Sequence, residues 1–377
     1  MKTCFVHEYL IDYGGAEQVL KGLLEIWPNS PIFTLIYDQD GNCKDIIQST
    51  KVIGSFLNKM PFAKRKHRAY LPLMPLAIEQ LDLSGYDVII SASHAIAKGV
   101  ITGPDQLHIG YIHTPIRYAW DMQEPYLAHA GLDKGLKSFF TRSLLHYLRM
   151  WDMRTVAGVD YYIANSKFIA RRIMKLYKRE AEVIYPPVDI IRFNVRAEKE
   201  DFYVTVSRLV SYKKVDLIVR AFNQMPDKKL VVVGDGPELK SLKNIASSNI
   251  TFLGFQSESV VEDILQRARA FIYAAEEDFG IVPVEAQACG TPVIAYGRGG
   301  ALETVVPGKT GFFFYEQSAE GLIEAVNAFE ESPSLDAWVI RKNAEKFSKD
   351  RFKREIETFV EGKTAQFFGR TNNLHQP

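Results

Sequence analysis

The stretch "VIYPPVDIIRF" (residues 183–193) divides the chain into two similar halves. Its adjacent prolines, Pro186 and Pro187, cannot continue a helix or donate to a central strand, so it reads as the connection between two domains. Before it, short apolar runs alternate with longer amphipathic ones. "TCFVH" (3–7) reads as a strand, followed by a glycine loop and a helix in "GGAEQVLKGLLEIW". "YDVIISAS" (86–93), "HIGYIH" (108–113) and "VDYYIANS" read as further strands. "GLKSFFTRSLLHYLRMWDMRTV" sets Leu136, Phe139, Phe140, Leu144, Leu148 and Trp151 at helical spacing, and Ser166 can cap the helix "KFIARRIMKLY".

After the prolines the alternation restarts. Strands are expected at 202–207, 229–236, 250–255, 270–275, 291–297 and 311–315, with helices at 213–224, 237–246 and 318–331 among those between them. Such alternation predicts parallel sheets covered by helices on both faces. Two such sets predict two doubly wound domains facing a cleft. The length of 377 residues fits two domains and is too great for one ordinary core.

With 47% hydrophobic and 24% charged residues, the chain reads as soluble and globular. A net charge of +1 gives no global field for nucleic acid, so any anion site must be local. Cys4, Cys43 and Cys289 are scattered without metal spacing, which suits buried thiols in a reducing compartment. "MKTCFVHEYL" is too short and too soon polar for a signal peptide, and no apolar run approaches the roughly 20 residues of a membrane helix. A cytoplasmic protein is expected, and the polar tail "GRTNNLHQP" (369–377) is expected to fray.

In open parallel sheets ligands bind beyond the carboxyl ends of the strands, so the loops there carry the chemistry. Gly14 and Gly15 lead into a helix near Ala16, a turn whose N–H groups can approach an anion or can simply be tight. Arg208 and Lys213 follow a strand, and two cations there can neutralise a diphosphate; a solvated basic turn is the alternative, and Lys214 competes with Lys213 for the inward position. "GDGPE" has Leu239 where a dinucleotide fingerprint needs its third glycine, so a turn packed on its neighbour is as good a reading as ligand contact. In "EEDFGIVPVE" (276–285), a helix starts near Ile281 with Pro283 in its first turn and Gly280 at its mouth. Glu277 and Glu285 flank that mouth. Carboxylates accept from hydroxyl pairs, which suits a polyol. A glycosidase acid and nucleophile is another use for two acids, but it leaves the basic pair unexplained.

The set formed by "GGAE" (14–17), "YIHTPIRYAWD" (111–121), "IANSKFIARRI" (163–173), "SRLVSYKKVDL" (207–217), "VVVGDGPE" (231–238), the two acids Glu277 and Glu285, "QACGTPVIAYGRGGALETV" (287–305) and "GKTGFFF" (308–314) resembles the retaining glycosyltransferases of family 4, nearly end to end. The similarity extends to bacterial mannosyl- and glucosyltransferases of surface or exopolysaccharide assembly. The resemblance implies the α/β GT-B fold, with an acceptor-binding domain at 1–188, a donor-binding domain at 189–349 and a C-terminal helix (350–368) crossing back onto the first. It implies that Arg208 and Lys213 bind the donor diphosphate and that Glu277 contacts the transferred sugar with the N–H groups of Phe279, Gly280 and Ile281. Glu285 would hold the ribose, Gly254 and Phe255 the base, Gly14 and Gly15 would admit diphosphate and acceptor, and His113 would reach sugar or acceptor. Ala275 stands where the family often has proline.

The implied reaction moves a hexose from UDP-glucose or GDP-mannose to a hydroxyl of a glycan or lipid-linked acceptor, with no metal and no further cofactor. Nucleic acid is not expected as a partner. Residues 56–75, with Lys59, Lys64, Arg65, Lys66 and Arg68 among aromatics, read either as a loop over the acceptor or as a peripheral contact with the inner face of the plasma membrane. A sugar-nucleotide epimerase of the same architecture is the alternative function, an NAD-dependent oxidoreductase a weaker one given the missing glycine, and an inactive binding module a third.

Overall fold

The computed structural model describes residues 1–374. The chain forms two compact units, one made of residues 1–186 with the chain from Phe352 onward, the other of residues 187–351. The division falls between the two prolines of the connecting stretch.

The first unit holds seven strands: β1 (Thr3–Leu10), β2 (Ile32–Tyr37), β3 (Val52–Gly54), β4 (Val88–Ser93), β5 (Leu107–Ile112), β6 (Tyr161–Ala164) and β7 (Ala181–Val183). Their order in the sheet is β3-β2-β1-β4-β5-β6-β7, and every pairing is parallel. The second unit holds six: β8 (Tyr203–Val206), β9 (Leu230–Val233), β10 (Ile250–Gly254), β11 (Ala270–Tyr273), β12 (Val293–Tyr296) and β13 (Gly311–Phe314). They run β10-β9-β8-β11-β12-β13, again all parallel. The central strands are buried on both faces and so read as apolar runs, β4, β5, β11 and β12 being buried throughout. In each sheet the order reverses once, between β1 and β4 and between β8 and β11. At such a reversal the loops leave to opposite sides and open a crevice at the carboxyl ends.

Local sequence signals place the helices as expected in most cases. The Ser166 hydroxyl accepts from the Ile169 N–H at 3.1 Å and caps the helix Lys167–Tyr177. The long helix Gly135–Thr155 forms where the spacing predicts it, with its apolar residues divided between two sides. Leu148 and Trp151 are buried, whereas Leu136, Phe139 and Phe140 face solvent. At the C-terminus the helix Lys349–Leu374 runs through most of the tail expected to fray; residues 375–377 lie outside the described residues.

That helix seals the first unit. Phe352, Ile356 and Val360, spaced by four, are buried among Phe5, Ile32, Val88, Ile109 and Tyr111 on one face of the sheet. The rings of Phe352 and Tyr111 stand 6.1 Å apart, and Lys353 meets Glu25 at 2.7 Å. Phe352→Ala is expected to cost about 3–5 kcal/mol, read by urea unfolding. An unchanged profile would mean that the helix does not complete this core.

Candidate functional site

The reversal between β8 and β11 brings two loops together in the second unit. After β8 the chain makes a short 3-10 turn, Ser211–Lys213, and Lys214 takes a left-handed conformation (φ 56°) that opens the helix Val215–Asn223. This turn decides between the two lysines: the Lys213 ammonium is ion-paired with Glu277 Oε1 from the loop after β11. The Tyr212 ring lies 5.7 Å from the same ammonium, and its hydroxyl accepts from Arg208 Nη2 at 3.2 Å. Tyr212 therefore links both cations. Arg208 itself is exposed.

Glu277 is fixed from three directions. Its Oε2 accepts from the Tyr273 hydroxyl at 2.6 Å, and its main-chain carbonyl accepts from Gly300 N–H at 2.8 Å. The contact with "GRGG" is close because those glycines lack side chains. A Cβ on Gly299 would lie 2.3 Å from the Glu277 carbonyl oxygen, and one on Gly300 2.3 Å from Phe279 Cα. Phe279 is buried with its ring 5.4 Å from Phe347. Gly280 (φ 87°) then turns the chain into the helix Ile281–Ala288, whose first turn holds Pro283.

The "GDG" glycines serve packing. A Cβ on Gly234 (φ 131°) would lie 1.8 Å from the Ser207 carbonyl oxygen, and the Gly234 N–H donates to Gly254 O at 2.8 Å. The loops after β8, β9 and β10 are thereby tied together. Gly254 is left-handed (φ 70°), and the Phe255 ring beside it is 81% exposed.

The first unit has its own reversal, between β1 and β4. Gly14 N–H donates to Glu17 Oε2 at 2.8 Å, and Glu17 Oε1 meets His7 Nε2 at 3.0 Å. An anion approaching Gly14 would therefore compete with Glu17 for that N–H. Glu8 Oε1 accepts from Ser93 Oγ and from four successive N–H groups, His94 to Ala97, at 2.8–3.0 Å, while Oε2 pairs with His94 Nδ1 at 3.0 Å. This stabilises the Glu8 carboxylate and, although burial opposes charge on both, pushes the His94 imidazole up. His113, after β5, is buried; burial pushes its imidazole down to about 3, helped by His94 and His7, so it is neutral at neutral pH. Its Nε2 has no hydrogen-bond partner among the described residues.

Sequence reading missed Tyr212, Tyr273, Gly299 and Gly300 as supports of the acidic loop, although all lie in or beside quoted motifs. It also missed Arg192, whose Nη2 lies 3.4 Å from Glu285 Oε1 and which also pairs with Glu258. Glu285 is buried, and burial pushes its carboxyl up to about 7, with Arg192 opposing and Glu258 and Asp189 adding. Between pH about 4.5 and about 7 the folded protein keeps a proton here that the unfolded chain has lost, so stability falls as pH rises through this window. Glu285→Gln is expected to be more stable than wild type above pH 7, by up to roughly 3 kcal/mol, with the gap closing toward pH 4.5. Equal unfolding free energies for both proteins at pH 5 and pH 8 would contradict it.

Residues 188–351 match the family Glycosyl transferases group 1, and residues 13–192 match Glycosyltransferase Family 4. A D-inositol 3-phosphate glycosyltransferase of Mycobacterium sp. (strain KMS) is 31% identical over 42% of this chain and 42% of its own, so the match spans about two fifths of that relative. The alpha-1,3/1,6-mannosyltransferase ALG2 of Mus musculus is 28% identical over 78% of each chain. The crystal structure of Anabaena HepE in complex with UDP shares the fold, with TM-score 0.70 and 19% identity over 96% of this chain and 100% of that one. The two glycosyltransferase models overlap at residues 188–192 and together span residues 13–351, over the two parallel-sheet units described above, and the chain has the GT-B fold.

Proposed function

We propose that this protein is a retaining glycosyltransferase that moves a hexose from a nucleotide sugar, UDP-glucose or GDP-mannose, to a hydroxyl of a glycan or lipid-linked acceptor in polysaccharide biosynthesis. The observation that carries this reading is the contact of Lys213 with Glu277 at the β8/β11 reversal. It sets a cation beside an acceptor of hydroxyl hydrogens. A nucleotide sugar has the matching pair of groups, an anionic diphosphate joined directly to a polyhydroxylated ring.

In this reading Arg208 and Lys213 hold the diphosphate and Glu277 accepts from hydroxyls of the hexose. The N–H groups of Phe279, Gly280 and Ile281 support the sugar and diphosphate. Glu285 accepts from the ribose, and the base rests by Gly254 and Phe255. The acceptor oxygen attacks the anomeric carbon from the face the diphosphate leaves. As the carbon–oxygen bond to phosphate breaks, the acceptor proton passes to the departing phosphate oxygen. Charge grows on the diphosphate, where the Lys213 and Arg208 cations stabilise it. Side-chain cations supply that stabilisation, so the reaction needs no metal. On the first unit, Gly14 and Gly15 form the turn that admits the acceptor, and His113, neutral through burial, offers a hydrogen bond instead of a charge.

The UDP complex of HepE supports a nucleoside diphosphate ligand. The relatives carry transferase names, and no observation favours the epimerase. The reading places the protein in the cytoplasm, with residues 56–75 touching an anionic membrane face. Among the described residues no helix is long and apolar enough to cross a membrane.

Thermal-shift screening against UDP, GDP and their hexose conjugates is expected to give one stabilising series, and the best conjugate should be the donor in a transfer assay. Lys213→Ala and Glu277→Ala should each lower turnover with that donor by about 10²–10³-fold while melting near the wild-type temperature. Wild-type turnover in either variant would reject the assigned roles.

A further inference from the structure

The helix Gly135–Thr155 carries two apolar stripes, and only one is used. The inner stripe is firmly held. Leu145, Leu148 and Trp151 are buried in the core of the first unit. Trp151 Nε1 donates to Glu79 Oε1 at 2.7 Å, and the buried Lys98 ammonium lies 2.9 Å from Asp152 Oδ1. The outer stripe is formed by Leu136, Phe139, Phe140, Tyr147 and Met150, whose spacings of about one or two helical turns put them on one face. Leu136 is 80% exposed, Phe139 65% and Phe140 68%. The two phenylalanine rings pack edge to face, 5.7 Å apart. Three adjoining large apolar side chains left in water mark an interaction surface.

The charge beside the stripe selects its occupant. No aspartate or glutamate occurs from Lys134 to Trp151, whereas Lys134, Lys137, Arg142 and Arg149 do. Arg142 is taken by Glu124 at 2.6 Å, and Lys134 and Lys137 flank the apolar tip. A second copy of this chain seated stripe to stripe would bring lysine against lysine, and the one acid of the helix, Asp152, is buried and held by Lys98. An anionic bilayer offers hydrocarbon to the rings and phosphate to the lysines. The basic segment around Phe62, itself exposed, covers the same face of the sheet: its Leu57 and Ala63 enter the same core as Leu145 and Leu148.

We infer that Leu136, Phe139 and Phe140, with Lys134 and Lys137 beside them, form an interfacial anchor that seats the first unit on an anionic lipid bilayer. The anchor goes beyond the contact proposed for residues 56–75 and is independent of the donor chemistry, because lipid binding is measured without sugar or acceptor.

The test is co-sedimentation of the full chain with vesicles of equimolar phosphatidylglycerol and phosphatidylcholine, and with phosphatidylcholine alone. Wild type should bind the anionic vesicles, less so at high salt. The triple variant L136S/F139S/F140S should bind at least about tenfold more weakly, with an unchanged melting temperature because these side chains are exposed. If that variant loses stability, K134S/K137S serves instead, and its binding to anionic vesicles should fall toward the level on phosphatidylcholine. The anchor is overturned if wild type does not bind anionic vesicles, or if binding survives both variants. It is also overturned if only changes within residues 56–75, such as F62S, remove binding, or if sedimentation velocity shows a dimer that the triple variant dissolves.

Discussion

The ion pair between Lys213 and Glu277 is the contact on which the proposed site depends. Its two partners come from different loops, sixty-odd residues apart in sequence, and meet only because β8 and β11 are neighbours at the point where the strand order reverses. The reversal sends the onward chains to opposite faces of the sheet and leaves a crevice at the strand ends into which both loops reach. Fold and chemistry are therefore joined at one place. The strand order supplies the neighbourhood, and the short turn Ser211–Lys213 aims one lysine into it while Lys214 turns the chain into the next helix.

Around this pair the backbone is packed so closely that side chains are excluded. Gly299 and Gly300 let one loop lie directly on the carbonyl of Glu277 and on Phe279, and Gly234 does the same for Ser207. The Tyr273 hydroxyl holds the remaining oxygen of Glu277. A carboxylate held at both oxygens and at its main chain loses little freedom when a ligand arrives, which is the condition for positioning to aid a reaction. Glu285 illustrates the opposing demand. Its burial makes its charge costly in the absence of compensation, and Arg192, shared with Glu258, answers only in part. A hydrogen-bond acceptor kept in an unfavourable environment is the kind of local cost found at sites of function.

Much of this was legible in the sequence. Strand–helix alternation on both sides of Pro186 and Pro187 gave the two parallel sheets, because buried parallel strands are apolar throughout and need no subtle periodicity. The short strands β3 and β7, three residues each, carry too little pattern to be read, and "IFTLIY" (β2) was passed over. The acidic loop was found because glycine, proline and two carboxylates leave a local signature. Tyr212, Tyr273 and Arg192 act through contacts made across loops, which no local pattern reveals. The helix Gly135–Thr155 shows the limit of periodicity: spacing alone places six apolar residues on a helix but does not say which of its faces meets the core.

The most direct measurement is a crystal structure with the nucleotide sugar that stabilises the protein best. The account requires the diphosphate within roughly 3 Å of the Lys213 ammonium and the Arg208 guanidinium, with a hexose hydroxyl donating to Glu277. A complex in which the ion pair of Lys213 and Glu277 is undisturbed and the nucleotide sugar lies away from the β8/β11 reversal would contradict it.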